Sequence, residues 1–261
     1  MSIKKTDMTL SARQQTIVSG LLEARRLGQP WQPEAYDASL DLDDAYAVQA
    51  GVAQALGWFP DGPRAWKVGG TSLVTAAPLP EVLSSPVNWP AAAQPEWLIE
   101  AELAFRLSRT PTGPADLLDC LGTVCVSIEL IGTRLAGGLQ APTAWKIADQ
   151  SVHAGLVIGP ELPYAQVAGF GPADWAEQAC RIEVNGQIRA QGQGGHPSGD
   201  PLATLPWLLA HAAAHATAHT GGLRAGDLVT TGAWLVATVR AGDEVVVSFN
   251  GLGQTRLLMT A

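Results

Sequence analysis

Cysteine and basic residues are scarce in this chain, and both shortages exclude classes of function. Three cysteines occur among 261 residues, at positions 120, 125 and 180. Their odd number and spacing fit neither a disulfide framework nor a zinc site, so we expect Cys120 and Cys125 to be small buried apolar side chains. The 16 Lys and Arg residues face 24 Asp and Glu, which leaves a net charge of −8, and the basic residues form no cluster. We therefore expect neither a nucleic acid nor an anionic membrane surface as a partner.

Long apolar runs are also missing. No stretch is long and apolar enough to cross a bilayer, and the first twenty residues contain no apolar segment typical of a signal peptide. Together with the low cysteine content, this predicts a cytoplasmic protein. The hydrophobic fraction is nonetheless 47%. That fraction is enough for a sizeable core in one large domain or two small ones.

Residues 98–107 alternate between apolar and other side chains, a period typical of a β-strand with one face in a core. Glu100 and Glu102 then project from the same face, about 6–7 Å apart along the strand. Like charges at that spacing repel, and burying either one is costly without a partner. Two interpretations remain open at this point: the solvated face of an edge strand, or a pair of ligands for a divalent cation.

A second, strongly apolar strand is predicted over residues 124–132 and carries one carboxylate, Glu129. An unpaired charge is expensive in such a strand. Strands joined by a short connection often pair, so Glu129 can face Glu100 and Glu102, and we expect residues 112–121 between the strands to form a short crossover helix. Three carboxylates without Cys or His beside them suit a hard cation, Mg²⁺ or Mn²⁺.

The remaining patterns predict an α+β protein built on a rolled mixed β-sheet with flanking helices. Apolar residues at helical spacing predict two helices near the N-terminus, over residues 9–27 and 41–56. Many short strands follow without regular helix alternation, which argues against a doubly wound sheet. We therefore divide the chain into an N-terminal helical segment, 1–60, and a mixed β-roll unit, 61–261, that forms a single structural unit.

Turn and breaker residues predict further elements of this unit. Asn185-Gly186 is a strong hairpin signal between strands expected at 179–184 and 187–191. The proline-rich segment 73–95 predicts a loop, with a lid over the site as one role for it. Asp200 and Pro201 predict the start of a long helix that ends near His219.

Three other features of the sequence are candidates for functional sites. His211, His215 and His219 share one stripe of the long helix, but no Glu accompanies them as the base that HExxH-type zinc sites need, so this rival metal site is disfavoured. The Gly-rich segment 192–197 lacks the spacing of a nucleotide-binding loop. Lys67, flanked by apolar residues, is either a surface lysine or a functional lysine that reaches into a cleft.

Six short motifs occur in order along most of the chain, at residues 66–72, 99–104, 128–134, 148–155, 192–202 and 223–232. Each motif alone is weak, but six in this order are specific. Together they resemble the fumarylacetoacetate hydrolase superfamily, and within it the branch of 2-keto-4-pentenoate hydratases and 4-oxalocrotonate decarboxylases.

This resemblance implies a Mg²⁺ or Mn²⁺ ion on Glu100, Glu102 and Glu129, with Lys67 as a catalytic residue. It implies a substrate region lined by the polar residues Ser72, Asp149, Gln150, His153 and Thr231. It also implies a homo-oligomer and the activity of a hydratase, a carbon–oxygen lyase, on a short 2-hydroxydienoic or 2-oxo acid such as 2-keto-4-pentenoate.

The chain departs from the pattern of this branch at two places. The Asp thought to assist proton transfer in the hydratases is missing, and Glu81 is the available acid in that segment, so we predict Glu81 as catalytic. The branch tends to have Asn or Ser where His153 stands. No His precedes His153, which disfavours the His–Glu chemistry of the superfamily's carbon–carbon hydrolases. The alternatives are a catalytically weak metal-binding homologue, or a decarboxylase or tautomerase of a 2-oxo dicarboxylic acid with Arg134 or Lys146 as its second cation.

Overall fold

The structure is a computed structural model that describes residues 9–34, 36, 39–91, 94–215 and 222–261. It begins with two helices, α1 (Ala12–Leu27) and α2 (Leu42–Ala55). Ser11 Oγ accepts a hydrogen bond from the backbone N–H of Gln14, and the Gln14 side chain accepts one from the N–H of Ser11. This capping box satisfies two donors at the start of α1. Both helices confirm the sequence prediction.

The two N-terminal helices pack against a third, short helix, α3 (Thr143–Ala148). Their shared core includes Leu21, Val48 and Trp145, and the Gln49 side chain donates a hydrogen bond to the carbonyl of Ile147 at 2.8 Å. The N-terminal helices therefore share a core with a segment of the unit predicted to start at residue 61. The division of the chain near residue 60 stays a prediction.

The described residues form two further helices and fourteen strands. The helices are α4 (Pro172–Glu177) and α5 (Leu205–Ala214). The strands are β1 (Ala65–Gly69), β2 (Thr75–Pro78), β3 (Val82–Ser84), β4 (Val87–Pro90), β5 (Trp97–Leu107), β6 (Leu121–Ile131), β7 (His153–Ile158), β8 (Leu162–Pro163), β9 (Ala179–Val184), β10 (Gln187–Gln193), β11 (Leu228–Thr230), β12 (Leu235–Val239), β13 (Glu244–Phe249) and β14 (Gly253–Thr260).

These strands make two mixed sheets. The first has nine strands in the order β2-β1-β11-β5-β6-β7-β3, with β12 paired to β5 and β8 paired to β6. The second has five strands in the order β10-β9-β13-β14-β4. The pairs β1–β11, β3–β7 and β14–β4 are parallel, and the other pairs are antiparallel. The predicted α+β class with a mixed sheet and flanking helices is confirmed.

The main core contains side chains from both sheets. Ile99 and Leu103 of β5 and Val126 of β6 are buried with Val247 and Met259 of the second sheet. Because side chains alternate along a strand, the acidic residues of β5 lie on its other face. The long strand β5 thus separates the core from the candidate site.

Two predicted connections were wrong. Residues 73–95 were expected to be a loop, but they contain β2, β3 and β4, whose backbones pair with β1, β7 and β14. Residues 112–121 were expected to form a crossover helix. Instead, β5 and β6 are antiparallel neighbours, which need no crossover, and their connection ends in a 3₁₀ turn at Leu118–Cys120.

The late helix starts later than predicted. The Asp200 carboxylate accepts the N–H of Leu202 at 2.8 Å and so caps a turn, while α5 begins at Leu205 with Pro206 in its first turn. The predicted end near His219 lies outside the described residues. The rings of His211 and His215 contact each other and Tyr46, which gives them a packing role. No helix within the described ranges is long and apolar enough to cross a membrane.

The three cysteines are free and buried. Burial raises the pKa of the Cys125 thiol to about 12, and it raises the pKa of Cys180 to about 11. Both thiols therefore stay protonated near neutral pH, as the prediction of small apolar side chains requires.

Candidate active site

Three glutamates meet where β5 and β6 pair. The register sets Glu100 directly opposite Glu129, and Glu102 lies one alternation further along β5 on the same face. One carboxylate oxygen from each residue lies within 4.8 Å of the others. The antiparallel pairing explains this convergence, since residues directly opposite each other have Cα atoms about 4.5–5.5 Å apart.

Two of these carboxylates are buried, Glu100 is half-buried, and the three repel one another. Glu102 is 1% exposed and Glu129 is fully buried. Burial, with the charge of Glu129 next, raises the pKa of Glu100, and burial together with Glu129 and Glu100 raises the pKa of Glu102 further. Oε2 of Glu129 has no hydrogen-bond partner among the described residues. Three hard oxygen ligands, one of them an unpartnered buried atom, fit a divalent cation such as Mg²⁺ or Mn²⁺.

Lys67 of β1 lies against this cluster. Its Nζ donates to Glu129 Oε1 at 2.6 Å and to the carbonyl of Ser151 at 3.3 Å. Burial acts to lower the pKa of Lys67, but Glu129, Glu100 and Glu102 outweigh it and raise the pKa. Lys67 is therefore an ammonium group near neutral pH, and it lines one cavity with Glu100 and Glu102. The alternative of a snorkelling surface lysine does not describe this geometry.

His153 contacts the same glutamate from another side. Its Nδ1 lies 2.9 Å from Glu129 Oε1, and because a carboxylate only accepts, Nδ1 carries the proton. Burial lowers the pKa of His153, so the ring is neutral near pH 7. Lys67 and His153 hold the pKa of Glu129 below its usual value, although burial acts to raise it. Glu129 is thus the ionised centre of the cluster.

A left-handed turn links α3 to β7 beside these residues. Gln150, Ser151 and Val152 have φ of 55°, 50° and 56°, a region that costs a non-glycine residue roughly 1–2 kcal/mol. The turn brings the Ser151 carbonyl to Lys67, and the side chain of Gln150 donates to the carbonyl of Pro78 at 2.6 Å. The strained backbone is therefore part of what positions Lys67.

Residues of this turn line two cavities. The first, about 250 Å³, is lined by Lys67, Glu100, Glu102, Ser151 and Thr231 among others. The second, about 390 Å³, is lined by Arg25, Trp58, Pro80, Glu81, Gln150, His153 and Ala154. The side chain of Glu81 is exposed. The catalytic role of Glu81 stays a prediction, but the acid lines the second cavity and not the cavity of the carboxylates.

The other predicted substrate residues have different surroundings. The hydroxyl of Thr231 donates to the carbonyl of Leu103 at 3.3 Å. Asp149 is 1% exposed and accepts hydrogen bonds from the Nε of Arg134 at 2.5 Å and from the hydroxyl of Thr133 at 2.8 Å. Asp149 thus fixes the segment after β6. Ser72 is exposed in the turn after β1 and is not among the residues that line the first cavity. Their substrate contacts stay predictions.

Sequence reasoning missed a group of residues between β10 and α5. His196, Ser198 and Thr204 line the first cavity together with Lys67. His196 is 6% exposed, and its Nε2 donates to the carbonyl of Thr231 at 2.8 Å. No local pattern predicts this placement, because a Gly-rich segment far along the chain reaches the cavity only through the tertiary fold.

The chain is similar in sequence to a known family and to curated proteins. Residues 63–258 match the sequence family described as fumarylacetoacetate (FAA) hydrolase C-terminal. The chain is 29% identical over 243 residues to 2-keto-4-pentenoate hydratase 1 of Dechloromonas aromatica (strain RCB), covering 85% of this chain and 87% of the relative. It is 27% identical over 173 residues to 2-keto-4-pentenoate hydratase of Burkholderia vietnamiensis (strain G4 / LMG 22486), covering 62% of this chain and 60% of that relative.

Solved structures show the same fold. The chain is similar to 4-oxalocrotonate decarboxylase from Pseudomonas putida G7, complexed with magnesium and adipate, with a TM-score of 0.76 and 18% identity over 96% of this chain and 100% of the other. It is also similar to fumarylpyruvate hydrolase from Pseudomonas aeruginosa in complex with Mn²⁺ and pyruvate, with a TM-score of 0.52 and 18% identity over 76% of this chain and 90% of the other. The predicted rolled sheet with flanking helices is thereby confirmed.

Proposed function

Because the chain belongs to the fumarylacetoacetate hydrolase family, we propose that it is a metal-dependent hydratase of a short 2-hydroxydienoic or 2-oxo acid, such as 2-keto-4-pentenoate. One observation carries the proposal: Glu100, Glu102 and Glu129 converge in a buried cluster with Lys67 against it. The relatives named 2-keto-4-pentenoate hydratase support the choice of reaction.

The proposal divides the chemistry between the cluster and Lys67. Held by Glu100, Glu102 and Glu129, Mg²⁺ or Mn²⁺ would act as a Lewis acid that stabilises the negative charge developing on the 2-oxo group. The Lys67 ammonium binds the carboxylate of the substrate, since opposite charges attract strongly in a largely buried site. His153 fixes the orientation of Glu129 through its Nδ1–H.

The distribution of positive charge favours a substrate with one carboxylate. Lys67 is the one Lys or Arg among the described residues that line the first cavity. Arg134 is bound to Asp149 at 2.5 Å, and Lys146 donates to the carbonyl of Leu139 at 3.4 Å. Neither of these cations lines the cavity, so the second carboxylate of a dicarboxylic acid has no cation to bind there.

Decarboxylation of a 4-oxalocrotonate-like acid is the second candidate. The fold neighbour of Pseudomonas putida G7 is a decarboxylase complexed with magnesium, and loss of a carboxylate passes through the same stabilised charge as hydration. The cluster alone does not distinguish the two reactions. The homo-oligomer implied by the resemblance stays a prediction, which light scattering on the purified protein would test.

Absorbance and product analysis test the proposed function. With Mg²⁺ or Mn²⁺ added, the absorbance of 2-hydroxypenta-2,4-dienoate should fall, NMR should identify 4-hydroxy-2-oxopentanoate, and a chelator should stop the reaction. The variant Glu244→Gln, at an exposed position on β13, should match the wild type. Carbon dioxide release from a dicarboxylic 2-oxo acid, without hydration of the dienoate, would favour the decarboxylase. No turnover of any of these acids would favour a metal-binding homologue that is not an active enzyme.

A further inference from the structure

The segment between β10 and α5 brings a histidine and a serine to the first cavity. His196 is 6% exposed, Ser198 is exposed, and the His196 Nδ1 lies 2.9 Å from Ser198 Oγ. Both residues line the cavity with Lys67, Glu100 and Glu102. Among the described residues of that lining, His196 is the one titratable side chain besides the lysine and the two glutamates.

The hydrogen bonds of His196 define its protonation state. The Nε2 lies 2.8 Å from the carbonyl of Thr231, and a carbonyl only accepts, so Nε2 carries the hydrogen. The backbone N–H of Ser198 points to Nδ1 at 3.4 Å, which therefore keeps its lone pair. Burial lowers the pKa of His196, so this neutral tautomer is the one present near pH 7. The Nδ1 atom is thus an acceptor for the Ser198 hydroxyl.

One peptide group connects this histidine to the glutamate cluster. The carbonyl of Thr231 accepts from His196, and the N–H of the same peptide, which belongs to Gly232, donates to Glu102 Oε2 at 3.3 Å. Gly232 has a φ of 112°, which other residues rarely adopt. The peptide therefore fixes the distance and orientation between the His196–Ser198 pair and Glu102.

We propose that Ser198 and His196 form a proton relay that activates the water added to the substrate, an inference that rests on the hydratase function proposed above. The Ser198 hydroxyl contacts the water, and His196 acts through it as a positioning residue and proton acceptor. The relay provides an acid–base group in place of the Asp that this chain lacks. Under this proposal Glu81 is not needed for the step, because that acid lines the other cavity.

The proton balance of the reaction closes with these two side chains. The dienoate first becomes a 2-oxo-3-enoic acid as its hydroxyl proton moves to C5. The water oxygen then bonds to C4, the water proton passes to Ser198 Oγ, and the serine proton passes to Nδ1 of His196. The C3–C4 π electrons move toward the 2-oxo group. C3 finally takes a proton that the imidazolium returns through Ser198, so that one water is added and both side chains are restored.

The resting serine has an alternative acceptor for its proton. Ser198 Oγ lies 2.8 Å from the carbonyl of Asp200, and a hydroxyl has one hydrogen to donate. Rotation about the Cβ–Oγ bond moves that hydrogen from Asp200 to His196. The side chain can therefore switch to the relay without any movement of the backbone.

Two single variants and their combination test the relay. Ser198→Ala removes the hydroxyl, and His196→Gln keeps an N–H donor for the Thr231 carbonyl but removes the basic Nδ1. Each should lower kcat about 100-fold, the lower end of general acid–base contributions. KM, Mg²⁺ affinity and inhibition by oxalate, an enolate mimic, should stay unchanged. The double variant should be no slower than either single variant, because the two residues act as one unit.

Conservative and distant variants complete the design. Ser198→Thr keeps a hydroxyl and should restore much of the lost kcat, while Ser19→Ala, at an exposed position on α1, should match the wild type. Full hydration activity in Ser198→Ala, or a double variant whose loss is the product of the single losses, would overturn the relay and leave the hydratase function standing. A wild-type protein that adds no water to the dienoate would overturn both.

Discussion

Replacing Glu102 with Gln tests the metal centre because it removes one negative charge at nearly constant side-chain size. Glu102 Oε2 accepts hydrogen bonds from the hydroxyl of Thr230 and from the N–H of Gly232, and the amide oxygen of Gln accepts both. At an effective dielectric constant of about 20, unit charges 4.8 Å apart repel by about 3.5 kcal/mol. Ionised Glu102 is repelled in this way by both Glu100 and Glu129. A divalent cation between them would attract all three carboxylates. We expect Glu102→Gln to weaken Mg²⁺ binding at least tenfold, or about 1.4 kcal/mol.

The same substitution should stabilise the metal-free protein against unfolding. Burial, then Glu129 and Glu100, raise the pKa of Glu102 well above 4.5. Between pH 4.5 and the raised pKa the folded state binds more protons than the unfolded state, so the free energy of unfolding falls as the pH rises through that range. Gln carries no such proton. The variant should therefore gain stability relative to the wild type as the pH rises.

Calorimetric titration with Mg²⁺ and urea unfolding with a chelator present measure the two effects. Unfolding should be followed from about pH 5 to about pH 8, above the ordinary glutamate pKa of 4.5. Glu244→Gln is the matched control, because Glu244 is exposed and its ion pair with Arg256 spans 3.6 Å. Such a pair is worth at most about 1 kcal/mol. Unchanged Mg²⁺ affinity in Glu102→Gln would refute the assignment of the three carboxylates as metal ligands.

Three further substitutions test the surroundings of the cluster. Lys67→Met removes the cation 2.6 Å from Glu129, so turnover should fall. Without metal, the free energy of unfolding measured in urea should fall by about 3 kcal/mol, because a buried charge loses its partner. Equal turnover would remove Lys67 from the mechanism. If the proposed relay is the acid–base group, Glu81→Gln should leave kcat for hydration unchanged, because Glu81 lines the other cavity; a large fall in kcat would instead support Glu81 as the catalytic acid. Ser151→Gly should raise the melting temperature, because glycine adopts the left-handed φ of 50° without the cost of roughly 1 kcal/mol that serine incurs. A lower melting temperature would show that the turn is not strained.

Local sequence patterns predicted the structure correctly where the features of a single strand or helix determine it. The alternation along β5 correctly set the two faces of the strand, because its apolar side chains enter the core at every second position. The helical spacing of apolar residues correctly predicted α1 and α2. The pairing of Glu100 with Glu129 also followed, since two long neighbouring strands of complementary pattern have few other arrangements.

Tertiary pairing explains the wrong predictions. The proline-rich segment 73–95 contains strands because β1, β7 and β14 offer backbone partners that no local pattern reveals. Asp200 has the sequence signature of a helix cap, but the chain satisfies it in a turn before Leu205. His196 reaches the cavity through a hydrogen bond to Thr231, 35 positions away. A single sequence contains no pattern at that distance.

The two oxygens of Glu129 connect the electrostatics of the whole site. Oε1 accepts from Lys67 at 2.6 Å and from His153 at 2.9 Å, while Oε2 has no partner among the described residues. A cation held by Glu100, Glu102 and the free oxygen of Glu129 would leave both hydrogen bonds of Oε1 in place, so Lys67 would keep its position. The positive charge of such a cation would offset the carboxylates that raise the pKa of Lys67, and the lysine would give up its proton more readily. Under the proposed function, Glu129 would thus couple occupation of the metal centre to the acidity of the Lys67 ammonium group.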